Sequence, residues 1–207
     1  MNVIPQVVET NGNITKSQDL FSRMLQERIV MANGEVTDDM AQLLIPQMLF
    51  LEAQDPSKPI LMYINSPGGS VTAGLAIINT MNYVKCPVYT IGMGIDASMA
   101  SVFLACGEPG HRYVLPDTTV MIHQVLGGYK GQATDMVIHT NWMVSLKEKL
   151  NRYLANSTQG KISYEKMCEL CERDNFLTAE DALEMGLIDH IIAKSDDILI
   201  DDKKEDE

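Results

Sequence analysis

The chain is 207 residues long and 45% hydrophobic, with a formal net charge of −12. That length and apolar content support one sizeable core. The acidic balance, with no basic block, excludes the cation-rich surface that nucleic acid or an anionic membrane demands.

The opening "MNVIPQVVETNGN" lacks the basic-then-apolar order of a signal peptide. The most apolar stretch, "MAQLLIPQMLFL", is too short to span a bilayer. Both point to a soluble, cytoplasmic protein. Residues 1–18 are polar, contain glycine and have no amphipathic period, which predicts a mobile N-terminal arm. "ERIVMANGEV" reads as strand and turn. "TDDMAQLLIPQMLFLEAQ" reads as a helix capped by Thr37, with Pro46 expected to kink it. "PILMYINSPGG" is a strand ending in a turn, "SVTAGLAIINTMNYV" a helix, "PVYTIGMG" a second buried strand and "SMASVFLACG" a second helix. "HRYVLP" and "TVMIHQ" are short strands. This alternation predicts an α/β fold with a mostly parallel sheet. Ligands in such folds sit at the carboxyl ends of strands. Asn65 to Gly69, Ser98 and His123 all fall at such ends.

A long helix follows at about residues 131–156, apolar on two faces: Met136, Met143, Leu146, Leu150 and Tyr153 on one, Ile138 and Trp142 on the other. Either a partner subunit covers the second face or the helix is sunk deep in the monomer. "SYEKMCELCERD" is helical, and its Cys168 and Cys171 form a lone C-x-x-C. "TAEDALEMGLID" is a short capped helix and "HIIAKS" a last strand. Residues 194–207 close the chain as an acidic tail expected to be disordered.

Ser98 opens a helix among small residues. A serine hydroxyl needs a general base to become a nucleophile and amide donors for the oxyanion it creates. The amide of Met99, at the free end of the helix, is the natural first donor. The adjacent glycines of "SPGGS" can supply a second. His123, ending a strand before the glycine-rich "GGYKGQ", is the best placed of four histidines to act as base. An aspartate would orient it, but spacing does not choose among Asp96, Asp117, Asp135, Asp174 and Asp189. No metal-ligand spacing occurs, and no phosphate-binding G-x-x-x-x-G-K-[ST].

In order along residues 19–193, "FSRMLQERIV", "QMLFLEAQDPSKPILMYINSPGGSVTAG", "ASM", "LPDTTVMIHQVLGGYKGQATD" and "ERDNFLTAEDALEMGLIDHII" resemble the ClpP family, the proteolytic subunits of the Clp ATP-dependent protease. The resemblance implies a crotonase/ClpP-like spiral of β-β-α units with a protruding handle helix. It implies a serine endopeptidase with Ser98 as nucleophile, His123 as base, Asp174 as third member, and the amides of Gly69 and Met99 as oxyanion donors. It further implies two stacked heptameric rings enclosing the sites, and no cofactor in the chain itself. ATP would be used by a partner ring ATPase such as ClpX or ClpA, which unfolds protein substrates. The docking pocket for that ATPase would comprise Leu61, where the family usually has an aromatic, with Tyr63, Tyr83, Ile91, Met93, Tyr113 and Leu115. Residues 1–18 would be the arm lining the axial pore.

The chain departs from the family around the nucleophile. Gly94-Ile95-Asp96-Ala97-Ser98-Met99-Ala100-Ser101 stands where the family usually reads Gly-Gln-Ala-Ala-Ser-Met-Gly-Ala. Asp96 would oppose an oxyanion if it pointed into the site and would be inert if it pointed out. Such departures fit a divergent paralogue that works in a mixed ring. Two rival functions follow: a weakly active structural subunit of such a ring, or a crotonase-type enzyme acting on acyl-thioesters.

Overall fold

Strand Ile60–Ser66 shows how the sequence builds the sheet. Ile60, Met62 and Ile64 are fully buried on one face, while Leu61 and Tyr63 pack on the other. Burying each such side chain contributes about 1.5–3 kcal/mol. The computed structural model describes residues 4–12 and 14–198. In chain order the strands are β1 (Gln6–Asn11), β2 (Ile14–Asp19), β3 (Ile29–Asn33), β4 (Ile60–Ser66), β5 (Val88–Ala97), β6 (Arg112–Val114), β7 (Thr119–Ile122), β8 (Asn175–Leu177) and β9 (His190–Ile191). The helices are α1 (Leu20–Gln26), α2 (Asp38–Gln54), α3 (Val71–Tyr83), α4 (Met99–Ala105), α5 (Ala133–Ser157), α6 (Tyr164–Leu170) and α7 (Ala179–Met185).

Among the described residues the main sheet runs β3-β4-β5-β6-β9, all parallel. β5 is the pivot. Its first half pairs with β6 through Thr90–Gly92, and its last residues pair with β7 through Ile95–Ala97. This change of partner starts the spiral, and β8 then adds antiparallel to β7. The α/β spiral expected from the sequence is therefore present. The antiparallel β8 departs from a plain parallel sheet.

Caps set the helix starts. Thr37 accepts from the Met40 amide with Asp38 and Asp39 in the first turn of α2, and Ser70 accepts from Ala73 at α3. Thr178 and Asp181 form a reciprocal capping box on α7, which ends at Gly186 with φ +78°. Pro46 does not divide its helix, since α2 runs through it. Four elements were absent from the sequence reading: α1, β8 and the strands β1 and β2. Within the arm expected over residues 1–18, β1 and β2 pair as a ribbon that meets α1 through the Arg23–Glu9 ion pair at 2.7 Å. Residues 199–207, most of the expected acidic tail, lie outside the described residues.

Helix α5 buries side chains only along its second half. Leu146, Leu154 and Ala155 are buried, whereas Met136, Val137, Ile138, Trp142 and Val144 are exposed. It is not sunk in the monomer. Arg112 fastens the base of the molecule. It is 2% exposed and holds Asp189 in a two-pronged pair of 2.6 and 2.8 Å. It also donates to the Ser157 carbonyl, at the end of α5, at 2.7 Å. Burial would raise Asp189, but the Arg112 guanidinium outweighs it and holds the carboxyl below its ordinary range. Among the described residues no helix is long and apolar enough to cross a membrane.

Candidate active site

Sheet register brings three distant side chains together. Ala97 of β5 pairs with Met121 of β7, and the Ser98 amide donates to the Met121 carbonyl at 2.8 Å. Ser98 therefore leaves its strand beside His123, which follows β7. Ile122 pairs with Asn175 of β8, setting Asp174 on the other side of His123. His123 Nε2 lies 2.8 Å from Ser98 Oγ, and His123 Nδ1 lies 2.9 Å from Asp174 Oδ1. A carboxylate only accepts, so Nδ1–H donates to Asp174 and Nε2 is left to accept from the Ser98 hydroxyl. The imidazole is enclosed, with its side chain 11% exposed, while Asp174 is 62% exposed.

Ser98 occupies the N-cap position of α4 but does not cap it. Its backbone sits at φ +56°, ψ −119°, where side-chain-bearing residues are costly, by about 1–3 kcal/mol. The strained turn aims Oγ at His123 rather than at the helix amides. Ser101 steadies the turn, its hydroxyl donating to the Ser98 carbonyl at 2.6 Å.

The two expected amide donors, Gly69 and Met99, line the same cavity as Ser98. Met99 is the first residue of α4, so its amide has no intrahelical acceptor. Gly69 forms an isolated parallel bridge with Val36, in which Val36 donates to the Gly68 carbonyl and Ser70 donates to the Val36 carbonyl. That pattern leaves the Gly69 amide directed away from Val36. Gly68, the first of the two adjacent glycines, sets the spacing. At φ +88°, a Cβ on it would lie 2.6 Å from the Ala97 carbonyl oxygen and 2.7 Å from Ser98 Cβ. Only glycine lets this loop approach the serine so closely. Ser98, Met99, Gly69 and His123 line a cavity of about 280 Å³, walled by Val71, Val102, Leu126, Leu150 and Leu154. A roomier cavity of about 600 Å³ opens at the opposite end of the strands around Val88, Cys106 and His111, and holds none of these groups.

A latch on the Asp174 segment was also missing from the sequence reading. Gln124, next to His123, donates to the Glu172 carbonyl at 2.8 Å, and Lys147 of α5 pairs with the Glu172 carboxylate at 2.9 Å. Lys147 holds that carboxylate below its ordinary range. No spacing rule joins Gln124, Lys147 and Glu172.

The other candidates fall elsewhere. Asp189 serves Arg112, and Asp96 points neither into the cavity nor to solvent but into the core. His111 stacks on Tyr89, His139 on Tyr129, and His190 lies 3.1 Å from the Gly110 carbonyl. Cys168 receives the Asn151 amide at 3.3 Å, and Cys171 is fully buried, which pushes its thiol up to about 12. Of the expected docking pocket, Leu61, Tyr63, Ile91 and Tyr113 share one apolar cluster with Tyr89, Ile192 and Ile198 on the sheet face away from the main core. Tyr83 is 76% exposed, Leu115 is exposed and Met93 half-buried, and none of the three belongs to that cluster. Among the described residues no group of three or more His, Cys, Asp or Glu is placed to hold a metal.

A parallel sheet that switches partners along β5 and a strained serine at the strand-to-helix step that follows it belong to an α/β protein of the ClpP-like fold. The family described as Clp protease matches residues 11–195, and the chain belongs to that family. Membership makes it a peptidase.

Proposed function

We propose that the chain is a serine endopeptidase that cuts unfolded polypeptide through an acyl-enzyme. The observation that carries this reading is the unbroken relay from Ser98 Oγ through His123 to Asp174, at 2.8 and 2.9 Å. Ser98 Oγ attacks the scissile carbonyl as His123 Nε2 takes its proton. The carbonyl oxygen, now negative, is held by the amides of Gly69 and Met99. Asp174 stabilises the imidazolium and fixes its tautomer. His123 then protonates the leaving amine, the C–N bond breaks, and water repeats the sequence on the ester. The apolar wall of Val71, Val102, Leu150 and Leu154 suits an apolar side chain beside the cut.

The family generally forms oligomeric rings that work with ATPases. Our reading extends this to two stacked heptamers enclosing the sites, with a ClpX- or ClpA-type unfoldase feeding them. Support comes from the exposed apolar half of α5 and from the second apolar cluster around Tyr63 and Tyr113. The chain would need no cofactor, the ATP being used by its partner.

The test is hydrolysis of a fluorogenic peptide by the assembled protein. Ser98→Ala is expected to lower kcat by about 10⁴–10⁶-fold with KM nearly unchanged. Near-full activity in that variant would refute the assignment.

A further inference from the structure

Asp96, two residues before Ser98, is fully buried, and neither carboxyl oxygen meets a hydrogen-bond partner. Gly92 makes room for it. A Cβ at Gly92 would lie 2.1 Å from Asp96 Oδ2 and 3.0 Å from a Val114 methyl. The Gly92 backbone is outside the left-handed region that favours glycine, so the missing side chain, not the backbone, is what this position needs. The carboxyl thus spans the step at which β5 passes from β6 to β7, immediately before the strained turn at Ser98.

No charge compensates it. β4, β7 and α4 carry no charged side chain, and β6 brings only Arg112, which is committed to Asp189. Tyr63 and Tyr113 belong to the opposite face of the sheet, and His123 lines the site cavity. Desolvation therefore acts unopposed and pushes the Asp96 carboxyl up to about 8.

We propose that Asp96 is a positioning residue for Ser98: as an uncharged carboxylic acid it packs against Gly92 and Val114 and holds the end of β5, and its ionisation releases that hold. The inference rests on Ser98 being the nucleophile. Peptidase activity would then fall on an alkaline limb set by a group that never touches substrate.

The test is the rate of Ser98 labelling by a fluorophosphonate in the assembled full chain, followed from neutral to alkaline pH. The wild type is expected to lose rate on a limb centred near pH 8. Asp96→Asn, similar in size and unable to ionise, is expected to keep the neutral-pH rate within about threefold and to lack that limb. Gly92→Ala, whose new methyl meets Oδ2, is expected to slow labelling about tenfold or more at neutral pH. Adding Asp96→Ala to it should bring the rate back to within about threefold of Asp96→Ala alone. Stability gives a second readout. The folded carboxyl is raised, so wild-type stability relative to Asp96→Asn should decline as pH rises from the ordinary carboxylate range to about 8 and then level. A limb that persists in Asp96→Asn, or a Gly92→Ala defect that Asp96→Ala does not relieve, overturns the inference. Labelling absent from Ser98 in the wild type overturns the nucleophile assignment, and this inference with it. A Ser98 that labels normally but shows an unchanged limb in Asp96→Asn overturns this inference alone.

Discussion

The Ser98 backbone carries strain that the surrounding turn must repay. Its amide bonds to Met121, its carbonyl receives the Ser101 hydroxyl, and Gly68 closes over it. The side chain is then free for His123 instead of the helix end, so a serine at the N-cap position leaves its helix uncapped. Asp174 shows a complementary economy. It is mostly exposed, yet one oxygen meets His123 Nδ1 at 2.9 Å. An asparagine there could present its NH₂ to Nδ1 and invert the tautomer, leaving Nε2–H unable to accept the Ser98 proton. Asp174→Asn is expected to lower kcat about 10³–10⁴-fold while leaving thermal stability within about 0.5 kcal/mol, as measured by peptide hydrolysis beside thermal melts. A loss of less than tenfold would mean that Asp174 does not set the tautomer.

At the scale of elements, site and scaffold are joined by short pairings that hydrophobic patterning does not reveal. The strands β4, β5 and β7 were legible, because apolar runs ending in glycine-rich turns mark buried parallel strands, and their carboxyl ends did hold Gly69, Ser98 and His123. Asp174 was not legible from spacing. It depends on β8, three residues long, pairing antiparallel with β7, and so short a strand has no readable period. The resemblance to a family, not the local pattern, singled it out. Asp96 was legible as an oddity but not in its direction, since a bulge in β5 between its pairings to Ile64 and Ser66 of β4 decides where that side chain points. Arg112 was likewise silent in sequence, the second residue of the expected strand "HRYVLP". Its pairing with Asp189 ties β6 to the segment before β9, and its bond to Ser157 ties both to the end of α5. Arg112→Ala would take the guanidinium from the partly buried Asp189 carboxylate, leave the Ser157 and Ala105 carbonyls without that donor, and open a cavity where the buried side chain stood. It is expected to destabilise the fold by about 3–5 kcal/mol in urea unfolding. A change below about 1 kcal/mol would show that this anchor is dispensable.

At the scale of the whole molecule, the outer half of α5 displays apolar side chains outside the main core. Trp142, Val144, Val137 and Ile138 are each about half or more exposed, a display that an isolated chain has no use for. A particle that buries such surfaces would also decide which polypeptides reach the relay, so assembly and chemistry answer to the same architecture. The most direct measurement is intact and peptide mass spectrometry of the assembled, peptide-cleaving protein after reaction with a fluorophosphonate. The expected result is one adduct per chain, on Ser98, with peptidase activity lost in proportion to labelling. Full peptidase activity with no adduct on Ser98, or an adduct elsewhere that abolishes activity, would contradict the account.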